Sequence, residues 1–141
     1  MADCIHYGSG YAYQLRAPYT CQLEIRPAHG AGTEWITLDT DGTLTIRAGY
    51  AWDGASGPTY DSKSSMRPSL VHDALYQLIR LGLLDASFRP AVDLIFRRMC
   101  KEDGMFSPRA QLWYMAVRIF GKPGTDPAAE SPDEFAGCGC T

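Results

Sequence analysis

The chain changes its hydrophobic rhythm near its middle. In the first 46 residues the stretches "YAYQL" (11–15) and "CQLEI" (21–25) alternate apolar and polar side chains, and "EWITLDTDGTLTI" (34–46) is two such runs joined by Asp39-Thr40-Asp41-Gly42. A period of two belongs to strands, and a glycine suits the positive φ of a tight turn, so these stretches predict a small antiparallel sheet. From Ser69 the period becomes helical: Leu70, Val71, Ala74, Leu75, Leu78 and Ile79 fill one half of a wheel, leaving Asp73, Gln77 and Arg80 on the other. That helix should end near Gly82. A second is predicted from Pro90 to Gly104 with Ala91, Val92, Ile95, Phe96 and Met99 inward. A third has Ser107 as its N-cap, Pro108 in its first turn, and Gly121 at its end.

These elements predict an α+β domain over residues 1–121: an N-terminal antiparallel β-sheet, then a three-helix C-terminal half whose antiparallel helix pair carries the candidate site. Residues 122–141 turn to Pro, Gly and acid with few large apolar groups, the composition of a tail that alone stays disordered. With 141 residues, 45% hydrophobic and 21% charged, the chain has enough apolar material for one ordinary core. Its net charge of −3 argues against a nucleic-acid binder acting through bulk electrostatics. No run reaches the roughly 18 to 20 apolar residues of a membrane span, and the N-terminal stretch lacks signal-peptide order. Synthesis and residence in a reducing cytoplasm are therefore expected. The five cysteines fit free thiols, with a Cys4–Cys21 bridge or a metal at Cys138 and Cys140 as alternatives.

Candidate chemistry gathers in "GYAWDGASGPTYDSKSSMRPSLVHDALYQL" (49–78). His72 stands at the edge of the apolar half of its helix, Tyr76 follows one turn later, and Asp93 holds the matching edge on the next helix. Packed antiparallel, the two helices would bring the imidazole and carboxylate together at the interface rim, where the carboxylate fixes the tautomer of a general base. Asp73 points about 100° away, free to bind a cation. The loop before it offers Asp53, Gly54 and turned carbonyls, which together with Asp73 make a plausible calcium cage. Ser56 as a nucleophile served by His72 and Asp93 is a further option, without the G-x-S-x-G elbow that normally presents one. The plainer readings are a structural hydrogen bond for His72 and a helix-dipole role for Asp73. The basic positions Arg80, Arg89, Arg97, Arg98, Lys101 and Arg109 read as a solvated face, or as a partner for phospholipid head groups or the acidic tail.

The order "WDGASGP", "LVHDALY", "AVDLIFRRM" and "RAQLWYMAVRIFG" resembles a domain-of-unknown-function family, number 1353, common in tailed phages and prophages. That resemblance implies a phage origin and no particular activity. "HDALY" on one helix, met by "VDLIF" on the next, is also similar to the secreted phospholipase A2 superfamily, although Leu75 stands where a flanking cysteine would be. This second resemblance implies His72 as the base activating water, Asp93 as its orienter, Tyr76 as a hydrogen bonder to Asp93, and Asp73 as a calcium ligand. The expected function is a phage-encoded, metal-assisted hydrolase of lipid or cell-envelope esters, using Ca2+ if any cofactor. The alternative is a virion structural protein of the tail or tail tip, bound to other virion proteins, in which the polar cluster is purely structural.

Overall fold

The computed structural model describes residues 7–8, 13–52, 63–121 and 125. The chain divides into two compact units, one extending to Asp53 and one running from Gly54 to Ala129. Strands β1 (Tyr7–Gly8), β2 (Tyr13–Leu15), β3 (Tyr19–Gln22), β4 (Ala31–Gly32), β5 (Ile36–Leu38), β6 (Thr43–Ile46) and β7 (Ala51–Trp52) belong to the first. All pair antiparallel, in two sheets rather than the single expected one: β1-β2-β7, and β3-β6-β5-β4. Pro18 separates β2 from β3; having no N–H it cannot carry a ladder onward, and the chain restarts in a second sheet.

The alternation does its expected work in the larger sheet. Ile36 pairs with Ile46 and Leu38 with Leu44, all four fully buried, while Thr37 and Thr45 pair on the other face. The predicted turn closes β5 onto β6: Asp39 N–H donates to Thr43 O and Gly42 N–H to Asp39 O. Gly42 sits at φ 89°, and a Cβ there would lie 2.4 Å from Leu23 O and 2.7 Å from Ile25 O, so no other residue fits. The strand expected at residues 21–25 lies instead at Tyr19–Gln22. Its partner β6 begins at Thr43, and Leu23 N–H bonds the turn carbonyl of Gly42 instead.

The second unit contains α1 (Lys63–Arg80), a 3-10 turn at Ala86–Phe88, α2 (Arg89–Glu102) and α3 (Ser107–Phe120). An α+β arrangement is thus the fold of the chain. Helix α1 begins six residues before Ser69 and runs through Pro68. A proline this close to the helix start costs one backbone hydrogen bond, and the burial of Ser65, Met66 and Arg67 outweighs it. The helix is buried on almost every side, Gln77 included, so the polar half read from the wheel is not a solvated one. Helix α3 starts at Ser107, but the cap position is Phe106 with no side-chain bond, so Ser107 is not the predicted N-cap. Between α2 and α3, Phe96, Cys100, Met105, Ala110 and Trp113 form an apolar cluster with Val117 against it. Burial there pushes the Cys100 thiol up to about 12, with the negative charge of Asp103 adding to it; the sulfur is an inert core atom. Cys21 is half-buried on β3, and Cys4, Cys138 and Cys140 lie outside the described residues.

Candidate active site

Helices α1 and α2 run antiparallel, so residue 72 on one reaches residue 93 on the other. Asp93 is not at a rim, as the wheel suggested, but wholly buried at 0% exposure, and His72 keeps only 7%. The Oδ1 atom of Asp93 accepts from His72 Nε2 at 2.7 Å and from the Tyr76 hydroxyl at 2.5 Å. Arg118, from α3, donates through Nη1 to Oδ2 at 2.7 Å. Arg89 stands one turn before Asp93 on α2, with Nε 3.9 Å from Oδ2 and 3.1 Å from the Tyr76 oxygen. Its Nη2 donates to the carbonyls of Val117 and Arg118 at the end of α3, at 3.1 and 2.9 Å. A buried carboxylate is thereby tied to all three helices.

The protonation states follow from this geometry. Burial alone would raise the Asp93 pKa, but hydrogen bonds from His72, Tyr76 and Arg118 outweigh it and hold the carboxyl below the usual range. His72 moves the other way from an ordinary ion-paired histidine. Burial lowers its pKa further than the hydrogen bond and charge of Asp93 raise it, and Arg89 lowers it as well. An ionised carboxylate only accepts, so a neutral imidazole bonded to it through Nε2 keeps its proton there and presents the Nδ1 lone pair. Tyr76 is held protonated by burial and by Asp93; its hydroxyl donates to that carboxylate and accepts from Arg89 Nε. The imidazole is boxed by the Tyr76 ring, 3.9 Å between centroids, and the Phe96 ring at 5.0 Å, which fixes its plane.

The structure therefore brings together His72, Tyr76 and Asp93. Asp73 is half-buried on α1, whereas Asp53, Gly54 and Ser56 lie outside the described residues. Among the described residues no group of three or more His, Cys, Asp and Glu side chains could hold a metal ion. Two side chains of the cluster are not singled out by the sequence. The charge pattern puts Arg89 on a solvated face, yet it is mostly buried at 15% side-chain exposure; its position four residues before Asp93 is the available signal. Arg118 lies 25 residues from its partner and carried no local signal.

Residues 33–117 match the model of a family described as "Protein of unknown function (DUF1353)", a span of more than half the chain. The chain belongs to that family. The match covers β5, β6, β7, all of α1 and α2, and most of α3, so the Asp93 cluster up to Val117 falls inside it. No curated protein and no solved structure matches. No helix among the described residues is long and apolar enough to cross a membrane.

Proposed function

We propose that this chain is a phage-encoded hydrolase of lipid or cell-envelope esters, in which His72 activates water and Asp93 orients and charge-balances it. The observation that carries the reading is the 2.7 Å contact of His72 Nε2 with the buried carboxylate of Asp93, where burial lowers the pKa of the ring and donors lower that of the carboxyl. In that state Nδ1 is the ring's free base, and a water bonded to it can lose a proton as its oxygen attacks an ester carbon. The proton stays on the ring, because Arg118 and the Tyr76 hydroxyl hold Asp93 as a carboxylate. Asp93 then faces an imidazolium and stabilises it. The ring later returns the proton to the departing alkoxide. Tyr76 and Arg89 position the carboxylate and touch no reacting atom.

A hard cation such as Ca2+, held by Asp73 with Asp53 and the Gly54 carbonyl, would supply charge stabilisation at the ester oxygen. Asp73 is the one of these ligands within the described residues, and the steps above need only the chain's own groups. The reading is tested by fatty-acid release from phospholipid vesicles. His72→Gln should abolish turnover while leaving the fold intact, and the wild-type rate should rise with pH along a limb whose midpoint lies below the ordinary histidine value of about 6.5. Turnover that survives His72→Gln would end this proposal.

A second reading is favoured by the saturation of Asp93 with donors. In it the cluster only clamps three helices of a virion protein of the tail or tail tip, bound to other virion proteins. Finding the chain at stoichiometric copy number in purified particles, with no turnover, would decide for it.

A further inference from the structure

Helix α3 is apolar on both sides of its cylinder. Ala110, Trp113 and Val117 face the cluster shared with α2. Leu112, Met115 and Ile119, spaced by three and four residues, form an outward ridge at 64%, 48% and 64% exposure, with Phe106 and Phe120 exposed at its two ends. Of the seven large hydrophobic residues exposed among the described residues, five therefore fall between 106 and 120. Scattered exposed apolar residues mean little, but a continuous ridge on one helix marks a surface that is covered in use.

The ridge has a basic border. Arg97 of α2 reaches across to α3, its guanidinium 4.8 Å from the Tyr114 ring centroid and bonded to Gln111 at 2.8 Å, and Lys101 is exposed one turn further along α2. Helix α3 contains no acidic residue. Residues 63–121 hold nine Lys and Arg against five Asp and Glu, a net of +4 in a chain of net −3. Of the five acids, Asp93 is buried and Asp103 and Glu102 hold Arg67.

We infer that the outer face of α3 docks on an anionic phospholipid surface. An apolar ridge that enters the acyl boundary, bordered by cations at the depth of lipid phosphates, is the chemistry of an interfacial helix. A second copy of the chain fits less well. Two such ridges could zip together at their three- and four-residue spacing, but the border would set cation against cation with no acid to pair. A 14-residue helix is about 21 Å long, and its ridge alone falls short of the roughly 800 Å² per partner of a stable interface. The inference gives the hydrolase reading a substrate surface, yet it stands on different residues and its test reads binding without turnover.

The test is co-sedimentation of the full chain with vesicles of mixed phosphatidylcholine and phosphatidylglycerol, and with phosphatidylcholine alone. The wild type should pellet with the mixed vesicles, less so as salt rises, and weakly with the neutral ones. The double variant Leu112→Gln/Ile119→Gln should bind at least about tenfold more weakly. Its two positions are exposed, and circular dichroism checks that the helices persist. Arg97→Gln/Lys101→Gln should lose about fivefold per cation on the mixed vesicles alone. His72→Gln should bind like the wild type, and wild-type binding with no wild-type turnover would sink the hydrolase reading and leave this one standing. Failure of the wild type to bind anionic vesicles, or wild-type binding by both double variants, would overturn it. So would a wild-type dimer that Leu112→Gln/Ile119→Gln turns into monomers.

Discussion

Two clusters of charge tie α1 to α2, and they are built in opposite senses. Near the start of α1 a buried cation, Arg67, meets two carboxylates that still see water: Asp103 through Nε and Nη2 at 2.8–3.1 Å, and Glu102 at 3.0 Å, with side-chain exposures of 21% and 43%. One turn and more along the helix a buried anion, Asp93, meets the buried His72 ring and Tyr76 hydroxyl and the partly exposed guanidinium of Arg118. Either arrangement locks helix to helix. Only the second includes an imidazole, which can take up and return a proton, so the first is a clamp and the second is a clamp with chemistry available to it. Ion pairing alone therefore does not mark the candidate site; the neutral imidazole does.

The sharpest way to break the comparison is to remove the buried member of each cluster. Asp93→Ala strands the Arg118 guanidinium, the Tyr76 hydroxyl and the His72 N–H around an apolar hole, and should cost about 3–5 kcal/mol in chemical denaturation. Arg67→Met should cost less, about 1–2 kcal/mol, because Glu102 and Asp103 can turn to water. Equal losses for the two would mean that the clusters do not differ as their burial implies. Gly121→Ala acts on the second cluster alone. A Cβ there would stand 2.7 Å from the Tyr76 hydroxyl and 2.4 Å from Val117 O, so α3 must shift away from the bonds that Arg89 makes to its end. About 1–3 kcal/mol should be lost, with less turnover if the hydrolase reading holds.

A smaller effect separates the clusters by pH. His72 has a folded-state pKa below its unfolded value near 6.5, so its contribution is complete above that pH and is lost as pH falls toward the folded value. Asp93 adds a second loss only below the ordinary carboxylate value of 3.8, because its folded pKa is depressed too. His72→Gln should remove the upper part of this slope, whereas Arg67→Met should leave it in place; urea melts across pH 4 to 8 would show it. Smallest of all, Cys100 should resist thiol reagents at pH 8 while half-buried Cys21 reacts, since the Cys100 proton leaves only near pH 12.

The sequence exposed the parts of this molecule that follow short-range rules. The turn at Asp39–Gly42, the ends of α1 and α2 before Gly82 and Gly104, and the inward set on α2 all come from spacing within a few residues. The strand at 21–25 and the start of α1 at Ser69 were misplaced because the outcome depends on a partner: the end of β6 in one case, and the packing of Met66 and Arg67 in the other. In the site, the meeting of His72, Tyr76 and Asp93 was readable from two helical edges. The depth of Asp93 was not, since a wheel shows direction and says nothing of what covers it. Arg118 illustrates the remainder: only the fold makes it a neighbour of Asp93.

The hold of Arg89 on the last carbonyls of α3 also bears on the order in which the chain assembles. A hairpin of α1 and α2 would already enclose the carboxylate of Asp93 with His72 and Tyr76, but without Arg118 the anion would be short of one close cation. The arrival of α3 supplies that cation and, through Arg89, has its own last carbonyls capped in return. Each partner thus completes the other's unmet valence, so the third helix should close in the same cooperative step that settles the His72–Asp93 pair, and a chain cut short before Arg118 should lose both together.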